Sequence, residues 1–89
     1  MARNVSIVLQ DTADALPIIE AIKSDNPDAE VQSMPSLVRI EAPGKLVIKR
    51  DSVSERIGRD WDVQEIQLSM VTLSGNIDED DDQFVISWQ

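Results

Sequence analysis

A run of acidic residues placed directly before an alternating apolar strand is the feature that most restricts how this chain can fold. Five consecutive acids span residues 78–82, and Phe84, Ile86 and Trp88 follow at every second position. Charged carboxylates are costly to bury, so the acidic run is predicted to be a solvated loop. The alternation predicts a final β-strand with one covered face. The end of the chain is therefore expected to fix a highly charged loop to the core.

The composition is that of a small acidic protein with an aliphatic core. The 89 residues are predicted to form a single domain, 1–89, and only 3% are aromatic, so Val, Ile and Leu must supply most of the core. The net charge of −9 opposes binding to nucleic acid and to anionic membranes. No apolar run reaches the roughly 18 residues of a membrane span, and no signal peptide is seen. We expect a soluble, cytoplasmic protein.

The apolar periodicity predicts an α+β fold in which mostly antiparallel strands are covered by one longer helix and two short helices. Pro17 is tolerated only in the first turn of a helix, so the longer helix is predicted to run from near Asp14 to about Ser24. Alternating apolar residues in the first half of the chain predict strands at Asn4–Gln10, Glu30–Met34 and Leu37–Ala42.

In the second half, Pro43-Gly44 has the composition of a tight turn, so Lys45–Arg50 is predicted to return as the second arm of a hairpin. Capping boxes at residues 52–55 and 62–65 predict two short helices, the first ended by Gly58. Two further strands are predicted, one in the stretch 68–73 that Gly75-Asn76 ends and one after the acidic loop.

The chain lacks the side chains on which most active sites depend. It contains no His and no Cys, which removes the commonest general base, the thiolate nucleophile and the usual zinc ligands. The three glycines are far apart and form no phosphate-binding loop. A calcium-binding loop starting at Asp78 would need Gly and Glu where this chain has Gln83 and Gln89. We predict no catalytic residue, no metal site and no cofactor.

Two kinds of large side chain could serve either the fold or a partner. Trp61 and Trp88 are predicted to anchor the core, although Trp61 follows the charged pair Arg59-Asp60 and is expected to be only partly covered. Arg56 and Arg59 lie beside the first short helix among acids. They either form surface ion pairs or contact a partner, since Arg is enriched at protein interfaces.

Four stretches spread along the chain carry a family resemblance. They are Asp25–Pro27, Leu37–Ala42, Gly58–Glu65, and Gly75–Asp82 followed by Phe84-Val85. In these stretches the chain resembles the small regulatory, or effector, components of bacterial multicomponent monooxygenases, above all those of phenol hydroxylase, with more distant relatives in toluene and methane monooxygenases.

The resemblance implies a non-catalytic, cofactorless protein. It would bind a large hydroxylase that holds a carboxylate-bridged diiron centre and change how that centre reacts with oxygen and an aromatic substrate. An iron–sulfur flavoprotein reductase would supply electrons from NADH. The resemblance also implies that the strand and turn before the acidic run face the hydroxylase near its active-site entrance. The candidate partner-binding residues are Val71, Thr72, Leu73, Ser74, Gly75 and Asn76, to which Arg56 and Arg59 are added.

Two other hypotheses are compatible with the residues themselves. One is a stand-alone ligand-binding or regulatory module, dimeric through an exposed strand edge. The other is an acid–base enzyme built on a pair of carboxylates, which would require a cleft and a carboxylate with a strongly raised pKa. Turnover of a purified hydroxylase with and without this chain separates the effector from both.

Overall fold

Two antiparallel sheets meet end to end in the computed structural model, which describes residues 3–88. Met1, Ala2 and Gln89, the ends of the predicted domain, lie outside the described residues. The strands are β1 (Asn4–Gln10), β2 (Glu30–Met34), β3 (Leu37–Pro43), β4 (Lys45–Lys49), β5 (Met70–Ser74), β6 (Asn76–Glu79) and β7 (Gln83–Ser87). The helices are α1 (Leu16–Asp25), α2 (Arg50–Ile57) and a 3₁₀ helix (Val63–Leu68). The predicted α+β fold class is confirmed.

The first and last strands form the centre of the molecule. The larger sheet has the order β2-β3-β1-β5 and the smaller sheet the order β4-β7-β6. The indole Nε1 of Trp88 donates a hydrogen bond to the backbone oxygen of Asn4 at 2.8 Å, and the Arg3 guanidinium lies 4.2 Å from the centre of the Trp88 ring. The start of β1 therefore meets the end of β7, and the two sheets join at this seam.

On each side of the seam, one ribbon of chain passes from the larger sheet to the smaller sheet through a glycine. Gly44 joins β3 to β4 with a φ of 77°, and its N–H donates to the Arg3 carbonyl at 2.8 Å. Gly75 joins β5 to β6 with a φ of 138°. Both φ values lie in the region that favours glycine, so these corners depend on the absence of a side chain.

The core lies between the two sheets and the helices. In β1 the alternation places Val5, Ile7 and Leu9 inside, each with an exposure of 0%. The neighbouring strands and helices add further buried aliphatic side chains and one buried residue of each aromatic type, Phe84 and Trp61. The other large members of this cluster are Ile18, Ile19, Ile22, Val38, Ile40, Leu46, Ile48, Val53, Val63, Ile66 and Ile86. Trp61 is only 3% exposed, so the prediction that it is partly covered was wrong.

Helix α1 begins two residues later than predicted, at Leu16, and ends one residue later, at Asp25. Pro17 lies in the first turn, as its fixed φ requires. No side chain caps the helix; instead the Thr12 hydroxyl oxygen accepts the Ala15 N–H at 3.2 Å and fixes the turn before it. The apolar stripe of α1 packs against β4 and α2. No helix within residues 3–88 is long and apolar enough to cross a membrane.

The predicted hairpin of residues 37–50 does not form. β4 pairs with β7 rather than with β3, so Pro43-Gly44 is a corner between sheets. The predicted capping box at residues 52–55 was also wrong, because α2 already starts at Arg50, whose N–H donates to the Asp82 carbonyl at 2.9 Å. Gly58 ends α2 in the left-handed conformation, as predicted.

The predicted acidic loop is shorter than its run of acids. Asp78 and Glu79 belong to β6, a strand that the sequence did not predict, and β6 pairs with β7. Only residues 80–82 form the turn, in which Asp80 Oδ1 accepts the backbone N–H groups of Asp82 and Gln83 at 2.8 and 2.9 Å. All five acids are exposed, so the prediction that they stay in water is confirmed. An outermost strand lets carboxylates point into solvent while its backbone still pairs.

Candidate functional site

Strands β5 and β6, joined by Gly75, form the outermost strand of each sheet on one side of the molecule. We call this segment, Met70–Glu79, the outer ribbon. It contains all six predicted hydroxylase-facing residues, 71–76. Every residue of β6 is exposed, and in β5 only Met70 and Leu73 are half-buried. The outer ribbon therefore presents a continuous length of accessible chain that runs across both sheets.

A β-bulge gives Val71 its position. In the pairing of β1 with β5, Val8 lies opposite Thr72 and Leu9 lies opposite Met70, so Val71 is an additional residue with no partner position on β1. A bulge bends the strand and redirects a side chain. Val71 is 51% exposed, whereas Met70 and Leu73 pack against the core. The bulge therefore directs the apolar side chain of Val71 towards solvent.

Exposed apolar side chains occur in and near the outer ribbon. Among the described residues, the large apolar side chains that remain most exposed are Leu68 at 78%, Ile77 at 52%, Val71 at 51% and Leu16 at 51%. Val71 and Ile77 lie in the outer ribbon, and Leu68 lies two residues before it. Exposed apolar side chains along an accessible outer strand offer contact area to a partner protein. Val71 was predicted from the sequence to face a partner, whereas Leu68 and Ile77 were not, although each of these two is an apolar residue flanked on both sides by polar ones.

Gly75 is fixed at the centre of the outer ribbon by its neighbours. A Cβ at this position would lie 2.5 Å from Ile86 Cγ2 and 3.2 Å from Val5 Cγ1. These two side chains belong to β7 and β1, so the glycine lets the ribbon lie against both central strands at the seam. The corner is therefore a close-packed feature of the fold.

The two predicted arginines differ in their surroundings. Arg59 forms a bidentate ion pair with Glu65, with nitrogen–oxygen distances of 3.1 and 2.8 Å. The hydrogen bond from Arg59 holds the pKa of Glu65 below its usual value, assisted by the Asp62 N–H, and the same contact raises the pKa of Arg59. Arg56 is exposed in the last turn of α2. The expected surface pairing is thus present for Arg59.

Glu65 also completes the capping box predicted at residues 62–65. Its carboxylate accepts the Asp62 N–H at 2.9 Å, while Asp62 Oδ1 accepts the Gln64 N–H at 2.9 Å. The box starts the 3₁₀ helix, whose Val63 and Ile66 are buried. Arg59 lines the same groove as Leu68 and Ser69, directly before β5, and Arg56 does not. The structure therefore brings Arg59, but not Arg56, close to the outer ribbon.

Asp80 and Asp81 of the acidic turn line a cleft that is separate from the groove lined by Arg59. This cavity of about 550 Å³ is lined by five acids and one cation, namely Asp60, Asp62, Glu79, Asp80, Asp81 and Arg50, together with Trp61, Val63 and Gln64. Within residues 3–88, no group of three or more acids is arranged so that it could hold a metal ion. The cleft is an acidic surface suited to attracting a basic face of a partner.

Comparison with known proteins identifies the family. Residues 3–87 match the MmoB/DmpM family, and the chain belongs to that family. It is 48% identical to the stimulatory component DmpM of phenol 2-monooxygenase from Pseudomonas sp. (strain CF600), over 100% of this chain and 99% of that protein. The family resemblance inferred from the sequence is confirmed.

Solved structures agree with the sequence comparison. The fold matches a chain in the structure of a phenol hydroxylase–regulatory protein complex with a TM-score of 0.94 and 47% identity, covering 98% of this chain and 100% of that chain. A second structure of such a complex matches with a TM-score of 0.91 and 45% identity, covering 97% of this chain and 100% of that chain. The soluble methane monooxygenase regulatory protein B shares the fold, with a TM-score of 0.77 at 24% identity; the match covers 97% of this chain and 65% of that chain.

Proposed function

We propose that this chain is the regulatory component of a phenol or related aromatic monooxygenase, and that it acts by binding the diiron hydroxylase of that system. The observation that carries the proposal is the similarity over the full chain to a stimulatory component of phenol 2-monooxygenase. The match to a chain in a hydroxylase–regulatory protein complex supports it. Such a role requires no catalytic group of its own, and the chain has neither His nor Cys. The proposal puts the chain in the cytoplasm, where NADH is available to the reductase.

The outer ribbon is the surface we assign to the hydroxylase. It combines accessible apolar side chains, Val71 and Ile77, with the polar residues Thr72, Ser74 and Asn76. A protein interface usually has an apolar centre and a polar rim, and a stable one buries at least about 1,000 Å² in total. Arg59 lines the groove next to β5 and can extend this surface, whereas Arg56, in the last turn of α2, does not lie beside it. The acidic turn adds a charged flank that favours approach of a basic surface.

The physical mechanism is differential binding. A protein that supplies no reacting group changes the rate of a hydroxylase only by binding one of its conformations more tightly than another. A preference of about 1.4 kcal/mol shifts the ratio of two conformations tenfold. By reciprocity, if this chain changes the affinity of the hydroxylase for substrate, substrate changes the affinity of the hydroxylase for this chain by the same factor. The ribbon is suited to this role because Gly75 and the seam hold it in one shape.

The test is reconstitution with the hydroxylase and reductase of the Pseudomonas phenol 2-monooxygenase, using the Pseudomonas stimulatory component as the positive control. Phenol consumption and NADH oxidation are measured while this chain is titrated in. We expect the hydroxylation rate, and the ratio of product formed to NADH consumed, to rise and then level off. If the positive control stimulates and this chain changes neither quantity, the proposed function is refuted.

A further inference from the structure

Residues 3 and 4 meet residue 88 at the seam between the two sheets. The Trp88 indole N–H donates to the Asn4 backbone oxygen at 2.8 Å, and the Arg3 guanidinium lies over the Trp88 ring, 4.2 Å from its centre. Trp88 also packs against the core, whereas Arg3 and Asn4 are exposed. We call the contact of Trp88 with Arg3 and Asn4 the seam contact. It joins the start of β1 to the end of β7.

The seam contact lies next to the two side chains on which the Gly75 corner packs. A Cβ at Gly75 would lie 2.5 Å from Ile86 Cγ2 and 3.2 Å from Val5 Cγ1. Val5 follows Asn4 directly, and Ile86 lies two residues before Trp88. The bond from Trp88 to Asn4 therefore holds together the two strand ends that form the floor beneath the corner.

The bonding across the seam is weaker than the bonding within either sheet. Each strand pairs within its own sheet, so the β-ladders do not cross the seam. On one side the Gly44 N–H donates to the Arg3 carbonyl at 2.8 Å, and on the Gly75 side the seam contact joins the two sheets. An exposed hydrogen bond and an exposed cation–π contact each contribute little to stability. Because proteins open locally at their least stable units, the Gly75 side of the seam is expected to open before either ladder does.

We propose that the seam contact controls the shape of the outer ribbon in the free protein. While Trp88 is bound to Asn4 and Arg3, the spacing of Val5 and Ile86 is fixed and the Gly75 corner has one arrangement. When Trp88 leaves, that spacing is no longer fixed and the corner becomes mobile, although both sheets stay paired. The corner lies in the middle of the outer ribbon, so the seam contact sets the population of ribbon shapes that a partner meets. The inference concerns the isolated chain and does not depend on the proposed function.

The experiment is native-state amide hydrogen exchange on the free chain, followed by NMR. Trp88→Phe removes the indole donor and keeps an aromatic ring, whereas Arg3→Gln removes the cation. Asn4→Ala is the matched control, because Trp88 bonds the backbone oxygen of residue 4, which this substitution keeps. The reporter amides are those of Asn76 and Ser87, which are partner positions in the β6–β7 ladder beside the corner.

Reference amides separate a local opening from a general loss of stability. Phe84 lies at the other end of the β6–β7 ladder, and Ile7 and Ile40 pair in the two central strands of the larger sheet. We expect Trp88→Phe and Arg3→Gln each to raise the exchange rates of the two reporter amides about three- to tenfold. The rates of the reference amides, and all rates in Asn4→Ala, should change by less than about twofold.

Three results would overturn the inference. An equal rise at reporter and reference amides in both variants would show that the seam contact adds only to overall stability. Unchanged reporter amides in both variants would show that the corner does not depend on Trp88 or Arg3. Reporter amides that exchange in the wild type as fast as in an unfolded chain would show that the seam contact does not persist in solution. Because Arg3 is exposed, Arg3→Gln keeps the test decisive even if Trp88→Phe unfolds the chain.

Discussion

The side-chain amide of Asn26 hydrogen-bonds both backbone groups of Val47, accepting its N–H at 2.9 Å and donating to its C=O at 2.7 Å. Val47 lies in β4, the outermost strand of the smaller sheet. The amide therefore pairs with this strand as the backbone of a neighbouring strand would. Asn26 itself is fixed at the end of α1, where its side chain and its backbone N–H both donate to the Ile22 carbonyl.

Asn26→Ala is expected to destabilise the fold by about 2–3 kcal/mol, because it removes the two part-buried hydrogen bonds to the backbone of Val47 and the side-chain bond to the Ile22 carbonyl. For a chain of this size the melting temperature should fall by about 4–8 °C for each kcal/mol. Thermal unfolding followed by circular dichroism measures the change. Asn4→Ala is the control, since Asn4 makes an exposed side-chain bond of 3.3 Å to Glu41. Equal melting temperatures for the two variants would contradict the role of Asn26.

Gly75→Ala is expected to destabilise the protein by about 2–4 kcal/mol, through overpacking and backbone strain together. The new Cβ would meet Ile86 at 2.5 Å and Val5 at 3.2 Å in a backbone with a φ of 138°. Gly58→Ala is the matched control, because Gly58 also has a positive φ, 75°, but has open space around it. Its cost should be only about 1 kcal/mol of backbone strain. Urea unfolding of both variants gives the two free energies, and a larger loss for Gly58→Ala would refute the close packing.

Val71→Asp is expected to weaken stimulation of the hydroxylase without unfolding the chain. The side chain is half exposed at the bulge, so a carboxylate there can stay hydrated in the free protein but not beneath a partner. We expect the concentration needed for half-maximal stimulation to rise about tenfold or more. Leu16→Asp, at an equal exposure of 51%, controls for the loss of an exposed apolar group. Equal activation curves for the two variants would remove the outer ribbon from the interface.

Arg59→Gln is expected to raise the pKa of Glu65 towards its ordinary value, because the hydrogen bond from Arg59 is the main cause of the lowered pKa. Carbon-detected NMR titration of the Glu65 carboxyl in the two proteins measures the difference. Since the folded pKa is lowered, the stabilisation is complete above the unfolded value of about 4.3 and is lost as the pH falls through the folded pKa. The wild type should therefore lose its advantage over Arg59→Gln only in acid. An unchanged Glu65 titration would show that the ion pair does not persist in solution.

Local patterns predicted much of the fold because they depend on near neighbours. The two faces of β1, the first-turn position of Pro17, the end of α2 at Gly58 and the capping box at Asp62 all follow from periodicity or from residues within one turn. The family resemblance directed attention to residues 71–76, which the structure brings together along one ribbon.

What the sequence could not predict depends on contacts between distant residues. The choice of β7 rather than β3 as the partner of β4 joins residues nearly forty positions apart, such as Val47 and Val85, and no local signal indicates it. The bulge at Val71 exists only relative to the register of β1. The pairing of Asp78 and Glu79 in β6 overrides their low strand propensity because β7 provides the backbone partner.

The amide of Asn26 has a consequence for how the molecule can be approached. With Asn26 and α1 seated along β4, the smaller sheet is closed on that flank. Backbone pairing with a strand from another protein is favoured at the opposite flank of this sheet, where β6 is the outermost strand. The smaller sheet thus has one flank occupied by its own chain, and a strand from another protein would extend it at β6.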